Sequence, residues 1–170
     1  MSGIANAQNC PMVSGMCHSL SAIFRYSLNM TDELSTVQNE MAHVRNYLYV
    51  MDVRNGSTIA YDYQIDSDTL ADQMPQPVVE NALTHGLRNV RRKDKKLLIR
   101  SEHVNENLVI TVQDNGAGMD AESMNRLLDQ NDMKRVESGI SIGILNVNAR
   151  LKRLFGEKYG LHIESTAGEG

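Results

Sequence analysis

The stretch MPQPVVENALTHG, residues 74–86, decides how the rest of the chain is read. Pro77 sits near its start, where a missing N–H goes unused, and Gly86 stands where a helix is expected to stop, so a helix is predicted between them. Val78, Val79, Ala82 and Leu83 fall on one apolar stripe. Asn81 and His85, one turn apart, share a different face, with Glu80 beside Asn81. A helix that is apolar on one side and carries an amide, an imidazole and a carboxylate on another predicts the floor of a site.

Two glycine-bearing segments downstream carry complementary chemistry. In DNGAGM, residues 114–119, Asp114 ends a predicted strand and can accept a hydrogen bond from an exocyclic amine such as that of adenine. Gly116 and Gly118 permit positive φ and let a flat ring come close to the backbone. Taken alone, a turn ordered by the aspartate accounts for the same residues. In SGISIGILN, residues 138–146, Gly139 and Gly143 feed a helix expected from about Gly143, whose free N–H groups favour phosphate. A plain helix cap reads the same way. The pattern is neither GxxxxGK[ST] nor GxGxxG after a strand, which excludes a P-loop and a dinucleotide fold. The Asn81 carbonyl can serve Mg²⁺, a hard cation that takes few protein ligands and shares phosphates, although a lone helix asparagine is otherwise a surface residue.

The composition excludes several classes. The 170 residues are 41% apolar and 22% charged, which is ordinary for a globular chain, and ten Met with no Trp make the packing aliphatic. A net charge of -4 gives no basic face for nucleic acid. No apolar run reaches the length of a membrane span and no signal peptide is visible, so a chain that does not enter the membrane is expected, in a cytoplasmic setting. Cys10 and Cys17 stand seven residues apart and read as buried or half-buried free thiols in a reducing compartment, since His18 alone does not complete a four-ligand metal site. The segment RNVRRKDKK, residues 88–96, reads as a solvated loop, with contact to an acidic partner as the alternative.

Residues 1–55 predict a helical hairpin. Val13, Met16, Leu20, Ile23 and Phe24 have helical spacing in the first helix. Ser35 or Thr36 can cap the second, Ser35 with Gln38 having capping-box spacing, and Val37, Met41, Val44, Leu48 and Met51 form an a/d seam. The hairpin either dimerises into a four-helix bundle or packs on the rest of its own chain. Asn55-Gly56 marks the boundary. Residues 57–170 predict an α+β domain: a strand at 58–65, the site helix, a β-hairpin from 97–104 and 108–113, a helix at 121–128, a polar segment at 129–138, a helix at 143–155 and a final strand at 161–165.

The order and spacing of the three motifs resemble the ATP-binding region of the GHKL superfamily, the group of gyrase, heat-shock chaperones, histidine kinases and mismatch-repair ATPases. PxxVxENAxxHG is similar to that family's N box, DNGAGM to its G1 box and GISIGILNVNARL to its G2 box. RYSLN (25–29), NEMAHVRNYL (39–48) and YGLHIES (159–165) extend the likeness to the LytS/YesM-like branch of sensor histidine kinases, along almost the whole chain. The resemblance implies a Bergerat-type α/β sandwich, a mixed sheet with helices on one face and ATP between them. It further implies that Asp114 reads adenine, Gly116 and Gly118 shape its pocket, Asn81 ligates Mg²⁺, Gly139 and Gly143 approach the phosphates, and 129–138 form a lid. His85 fits as a phosphate neighbour. Glu80 either polarises a nucleophile or orders the metal shell, an ordinary surface carboxylate being the alternative.

The activity so implied is transfer of the γ-phosphate of ATP to a histidine for relay to a response regulator, in a homodimer joined through the helical region. Two residues depart from the pattern: Ser141 stands where the branch has a glycine and Thr84 where a lysine is common. The branch's NPHF-like acceptor motif is not found, neither His18 nor His43 occupies its setting, and the sequence stops at Gly168-Glu169-Gly170, short of a last strand. The expectation is a fragment that does not phosphorylate itself, with any sensor or membrane anchor outside it. The other reading is a non-catalytic nucleotide-sensing or dimerisation module that keeps the fold.

Overall fold

The structure, a computed structural model, describes residues 10–28, 35–56, 59–65, 70–71, 75–88, 90–130 and 140–170. The elements in order are α1 (Pro11–Leu28), β1 (Ser35–Thr36), α2 (Val37–Asn55), β2 (Ile59–Gln64), β3 (Leu70–Ala71), α3 (Pro75–Asn81) running straight into a π-helical segment (Ala82–Leu87), β4 (Lys95–Val104), β5 (Asn107–Asp114), α4 (Ala121–Gln130) and α5 (Ile140–Phe155). The fold is α+β. Its main sheet is mixed, in the order β2-β4-β5, with β2 parallel to β4 and β4 antiparallel to β5. β1 and β3 add a two-residue antiparallel pair that the sequence did not signal.

The hairpin β4-β5 turns at Asn105-Glu106, with Asn105 at φ 56°, a left-handed position that asparagine tolerates. Leu97, Ile99 and Ser101 alternate onto the covered face of the sheet. The a/d seam of α2 lies against that face. Val37, Met41, Val44 and Leu48 are buried in one cluster with Val79, Ala82, Leu83 and Leu87 of the site helix and with Leu97 and Ile99. Each fully buried side chain of this kind contributes about 1.5–3 kcal/mol, which makes this cluster the main source of cohesion around the site. Polar ties reinforce it: Tyr61 donates to the Asp52 carboxylate, and the Arg45 guanidinium lies 5.0 Å from the Tyr63 ring centroid.

Thr36, one of the two expected caps, is the N-cap of α2, its hydroxyl accepting the Asn39 N–H at 3.2 Å. Gly56, at φ 75°, closes the same helix by returning its N–H to Asp52 O at 2.8 Å.

The first helix departs from expectation. Val13, Leu20 and Phe24 of its apolar stripe are exposed, together with Met12, while Ser14 and Ser19 are buried. The small residues set this geometry: a Cβ at Gly15 would lie 2.3 Å from the Tyr49 hydroxyl, so α1 approaches α2 through Ser14, Gly15 and Ser19 and turns its larger side chains outward.

The final strand expected at 161–165 is not formed. Leu161 N–H is accepted by Asn148 Oδ1 at 2.9 Å, Ile163 N–H by Asn125 Oδ1 at 2.9 Å, and Ile163 O takes Asn125 Nδ2 at 2.7 Å. Side-chain amides of α4 and α5 thus satisfy backbone groups that a ladder would otherwise pair. The period-two pattern survives, with Leu161 and Ile163 packed on Leu128, Ile144 and Leu145 in a second core.

Candidate functional site

Pro75 and Pro77 open the site helix within its first turn, where their missing N–H groups cost no intrahelical bond. Val79, Ala82, Leu83 and Leu87 then bury one side of it. The helix does not stop at Gly86 as expected. It widens over Ala82–Leu87 and closes with Arg88 N–H bonded to Leu83 O, five residues back, at 2.9 Å. Gly86 is therefore inside the helix, and its missing side chain serves packing instead of termination.

On the open side of this helix lies a cleft of about 160 Å³, walled by Pro77, Glu80, Asn81, Thr84 and His85 and closed from α5 by Gly143 and Ile144. Glu80, Asn81, His85 and Gly143, picked out separately in the sequence, thus meet in one place. α5 begins at Ile140, so Gly143 sits within its first turn and not at its first residue. Gly139, and 131–138 of the segment read as a lid, fall outside the described residues; Asp129 and Gln130 close α4.

Asn81 holds the clearest chemical signal. Its Oδ1 is buried with no hydrogen-bond partner among the described residues, although it lines a cleft. An orphaned buried acceptor costs about 1–3 kcal/mol, which a cation or donor in the cleft would recover. Among the described residues no three His, Cys, Asp or Glu side chains cluster to hold a metal. The donor set fits a hard cation that takes one amide oxygen from protein and the rest of its shell from phosphate and water.

The second group of residues lies beside the cleft, joined to it through Gly86. Asp114 ends β5, and its Oδ1 accepts the Gly116 N–H at 2.8 Å. Its carboxylate lies against Gly86, where a Cβ would be 2.4 Å from Oδ1. Ala117 N–H donates to Gly86 O at 2.9 Å, which ties the loop to the helix. Burial pushes the Asp114 carboxyl above its ordinary value, against the Gly116 N–H that favours the charged form. Gly118, at φ 69°, faces the chain's last turn, where a Cβ would meet Thr166 O at 2.4 Å; it does not line the cleft.

Sequence reasoning missed the residues that brace this loop. Asn115 Oδ1 accepts the Lys96 N–H at 2.8 Å, its Nδ2 donates to Asp94 O at 2.8 Å, and Arg92 donates to its carbonyl. Part of the basic segment is therefore fastened to the loop after β5; the asparagine between Asp114 and Gly116 was the available signal. The remaining histidines do not line the cleft. His18, His103 and His162 are exposed, and His43 is buried on α2. Cys10 and Cys17 are not joined in a disulfide; Cys17 is half-buried as expected, whereas Cys10, immediately ahead of α1, is exposed.

With this geometry in place, comparison with known proteins gives a consistent answer. Residues 68–170 match the family described as histidine kinase-, DNA gyrase B- and HSP90-like ATPase, and residues 1–59 match the histidine kinase family. The chain is 30% identical to the sensor histidine kinase YesM of Bacillus subtilis over 98% of its own length and 28% of that protein. It is 35% identical to the sensor protein LytS of Staphylococcus haemolyticus, covering 86% and 26% of the two chains, and 32% identical to the sensor histidine kinase YpdA of Escherichia coli, covering 85% and 25%. It thus spans about a quarter of the length of these relatives. Among solved structures, the histidine kinase domain from the Erythrobacter litoralis EL346 blue-light activated histidine kinase aligns with a TM-score of 0.43 at 17% identity, over 74% of this chain and 72% of that one. Among the described residues no helix is long and apolar enough to cross a membrane. The match across 68–170, which takes in the site helix, the loop after β5 and α5, means that the chain belongs to the histidine kinase-, DNA gyrase B- and HSP90-like ATPase family.

Proposed function

We propose that this chain is the ATP-binding catalytic portion of a two-component sensor histidine kinase, which transfers the γ-phosphate of ATP to a histidine for relay to a response regulator. The observation that carries the reading is the orphaned Asn81 Oδ1 in the cleft that α3 shares with Gly143 of α5, next to the Asp114 and Gly86 contact. Asp114 accepts from the adenine amine, Gly116 and Gly118 shape the base pocket, and Gly139, Gly143 and His85 attend the phosphates. Asn81 holds Mg²⁺. When bound, the cation neutralises phosphate charge, and the protein's own part is mainly to position the nucleotide. Glu80 supplies the carboxylate beside the metal position.

The exposed Met12, Val13, Leu20 and Phe24 on α1 support homodimer formation through the helical region, residues 1–55, with 57–170 as the ATP-binding domain. Two cysteines not joined in a disulfide support a cytoplasmic location for this part of the protein. Titration calorimetry tests the reading. The chain binds ATP with Mg²⁺ more tightly than ATP with a chelator, and Asn81→Ala removes that difference while adenosine binding stays within about twofold. A parallel loss of adenosine binding in a folded Asn81→Ala chain would overturn the assignment of Asn81.

A further inference from the structure

A chain of polar side chains runs from the helical hairpin into the cleft. His43 on α2 is 5% exposed, and its Nε2 is hydrogen-bonded to Gln76 Oε1 in the first turn of α3. Gln76 Nε2 then donates to Glu80 Oε1 at 2.8 Å, and Glu80 lines the cleft next to Asn81. The direction of the chain follows from its end. A carboxylate accepts only, so Gln76 must turn its NH₂ toward Glu80 and its oxygen toward His43. An amide oxygen also accepts only, so His43 must donate from Nε2.

The other ring nitrogen agrees. His43 Nδ1 is buried and has no hydrogen-bond partner among the described residues, so a proton there would be unsatisfied. The ring is therefore the neutral Nε2–H tautomer, and burial lowers its pKa in the same sense, opposed by the Gln76 bond and the Glu80 charge. From α1, the Tyr26 ring stacks on the imidazole with centroids 4.1 Å apart, and its hydroxyl donates to Glu40, which fixes the plane of His43.

On a helix surface, a Gln with Glu four residues on is a weak and mobile pair. Here the second bond from a buried histidine holds the amide at its other end. Resting on the nucleotide reading above, we propose that His43 and Gln76 are positioning residues that hold the Glu80 carboxylate at the cleft and so couple α2 to the nucleotide. The coupling passes through the helical hairpin side of the fold, where Tyr26 and His43 also wall a second cavity of about 250 Å³ between α1 and α2.

The test uses the whole chain and has two arms. Without nucleotide, long-range ¹H–¹⁵N spectra of the His43 ring show the Nε2–H tautomer, and Gln76→Leu shifts it toward a mixture; an unchanged His43 spectrum in that variant overturns the hydrogen-bond chain. With Mg-ATP, the wild-type His43 signals move, and both Gln76→Leu and His43→Leu weaken Mg-ATP by roughly twofold to tenfold with adenosine unaffected. The double variant loses no more than either single one, because both cut the same chain. His43→Gln, whose amide N–H can replace the Nε2 donor, restores affinity; a role in filling space alone would be met equally by leucine. Equal Mg-ATP affinity in wild type and both leucine variants overturns the positioning role. If Glu80-side signals and those of Gly116 and Gly118 stay still on adding Mg-ATP while the tautomer result holds, the nucleotide reading itself is what fails, and the positioning role falls with it.

Discussion

Gly86→Ala tests how the loop after β5 is held against the site helix. A Cβ built at Gly86 would stand 2.4 Å from Asp114 Oδ1, 2.7 Å from its Cγ and 2.8 Å from Oδ2. Restoring a contact of about 3.4 Å moves the carboxylate by roughly 1 Å. Such a shift breaks the 2.8 Å bond from Gly116 N–H to Oδ1. Two losses follow. Overpacking at a close contact destabilises by about 1–3 kcal/mol, and a displaced carboxylate forfeits a charge-assisted bond to the nucleotide base of about 1.5–3 kcal/mol, roughly a tenfold to 150-fold rise in Kd. Gly143→Ala is the control, since its Cβ would meet only Pro77 Cβ at 3.7 Å, an ordinary contact, and its melting temperature stays near that of wild type. Urea unfolding measures the first loss and ATP and adenosine calorimetry the second. A Gly86→Ala chain that binds adenosine like wild type, with Asp114 unmoved in its spectra, would refute the reasoning.

Asp114→Asn keeps an Oδ1 acceptor for Gly116 N–H but converts the other oxygen into a donor facing a donor, so adenosine binding weakens by about 1–3 kcal/mol in calorimetry. Relative to that variant, the wild-type chain loses stability as pH rises. Burial holds the Asp114 carboxyl above its ordinary value, so its contribution to wild-type stability is fully present below the ordinary carboxylate range and is lost as pH rises through the raised value. Urea midpoints of the two chains therefore diverge in favour of Asp114→Asn from roughly pH 4 upward, and parallel midpoints would contradict the buried setting. Asn148 is 1% exposed, donates to Leu128 O at 2.9 Å and accepts Leu161 N–H at 2.9 Å. Asn148→Ala orphans Leu161 N–H and leaves Leu128 O with only the longer bond from Lys152 Nζ at 3.3 Å, lowering unfolding free energy by about 1–3 kcal/mol, whereas no measurable loss would show that water replaces the amide.

The sequence made the faces of the site helix legible because they depend only on residues three and four apart, and Val79, Ala82, Leu83, Asn81 and His85 fall where that spacing puts them. It made the β4-β5 hairpin legible for a similar reason, the Asn105 turn being local. Gly86 was misread because its reason lies 28 positions away, in Asp114. A glycine after an apolar run looks like a stop until its tertiary neighbour is known. Asn125 and Asn148 gave no signal, since an asparagine on a helix reads as surface unless an extended segment passes over it. The stripe on α1 was correctly apolar, but periodicity does not say which face the neighbouring helix takes, and Ser14, Gly15 and Ser19 settled that through closeness of approach.

The widened turn over Ala82–Leu87 sets a spacing as well as a shape. In a regular α-helix, a residue five places on has turned about 140° past a full revolution, so Gly86 would point well away from Asn81. With five-residue bonding, that residue comes back close to the same side. Gly86, against which the Asp114 carboxylate packs, and Asn81, which lines the cleft, are thereby brought closer around the rod than regular winding would place them. The angle between the Asp114 contact and the cleft is then a property of helix winding. Rewinding that segment into α-geometry would swing Gly86 away from the side of Asn81 and so reset how the loop after β5 sits beside the cleft.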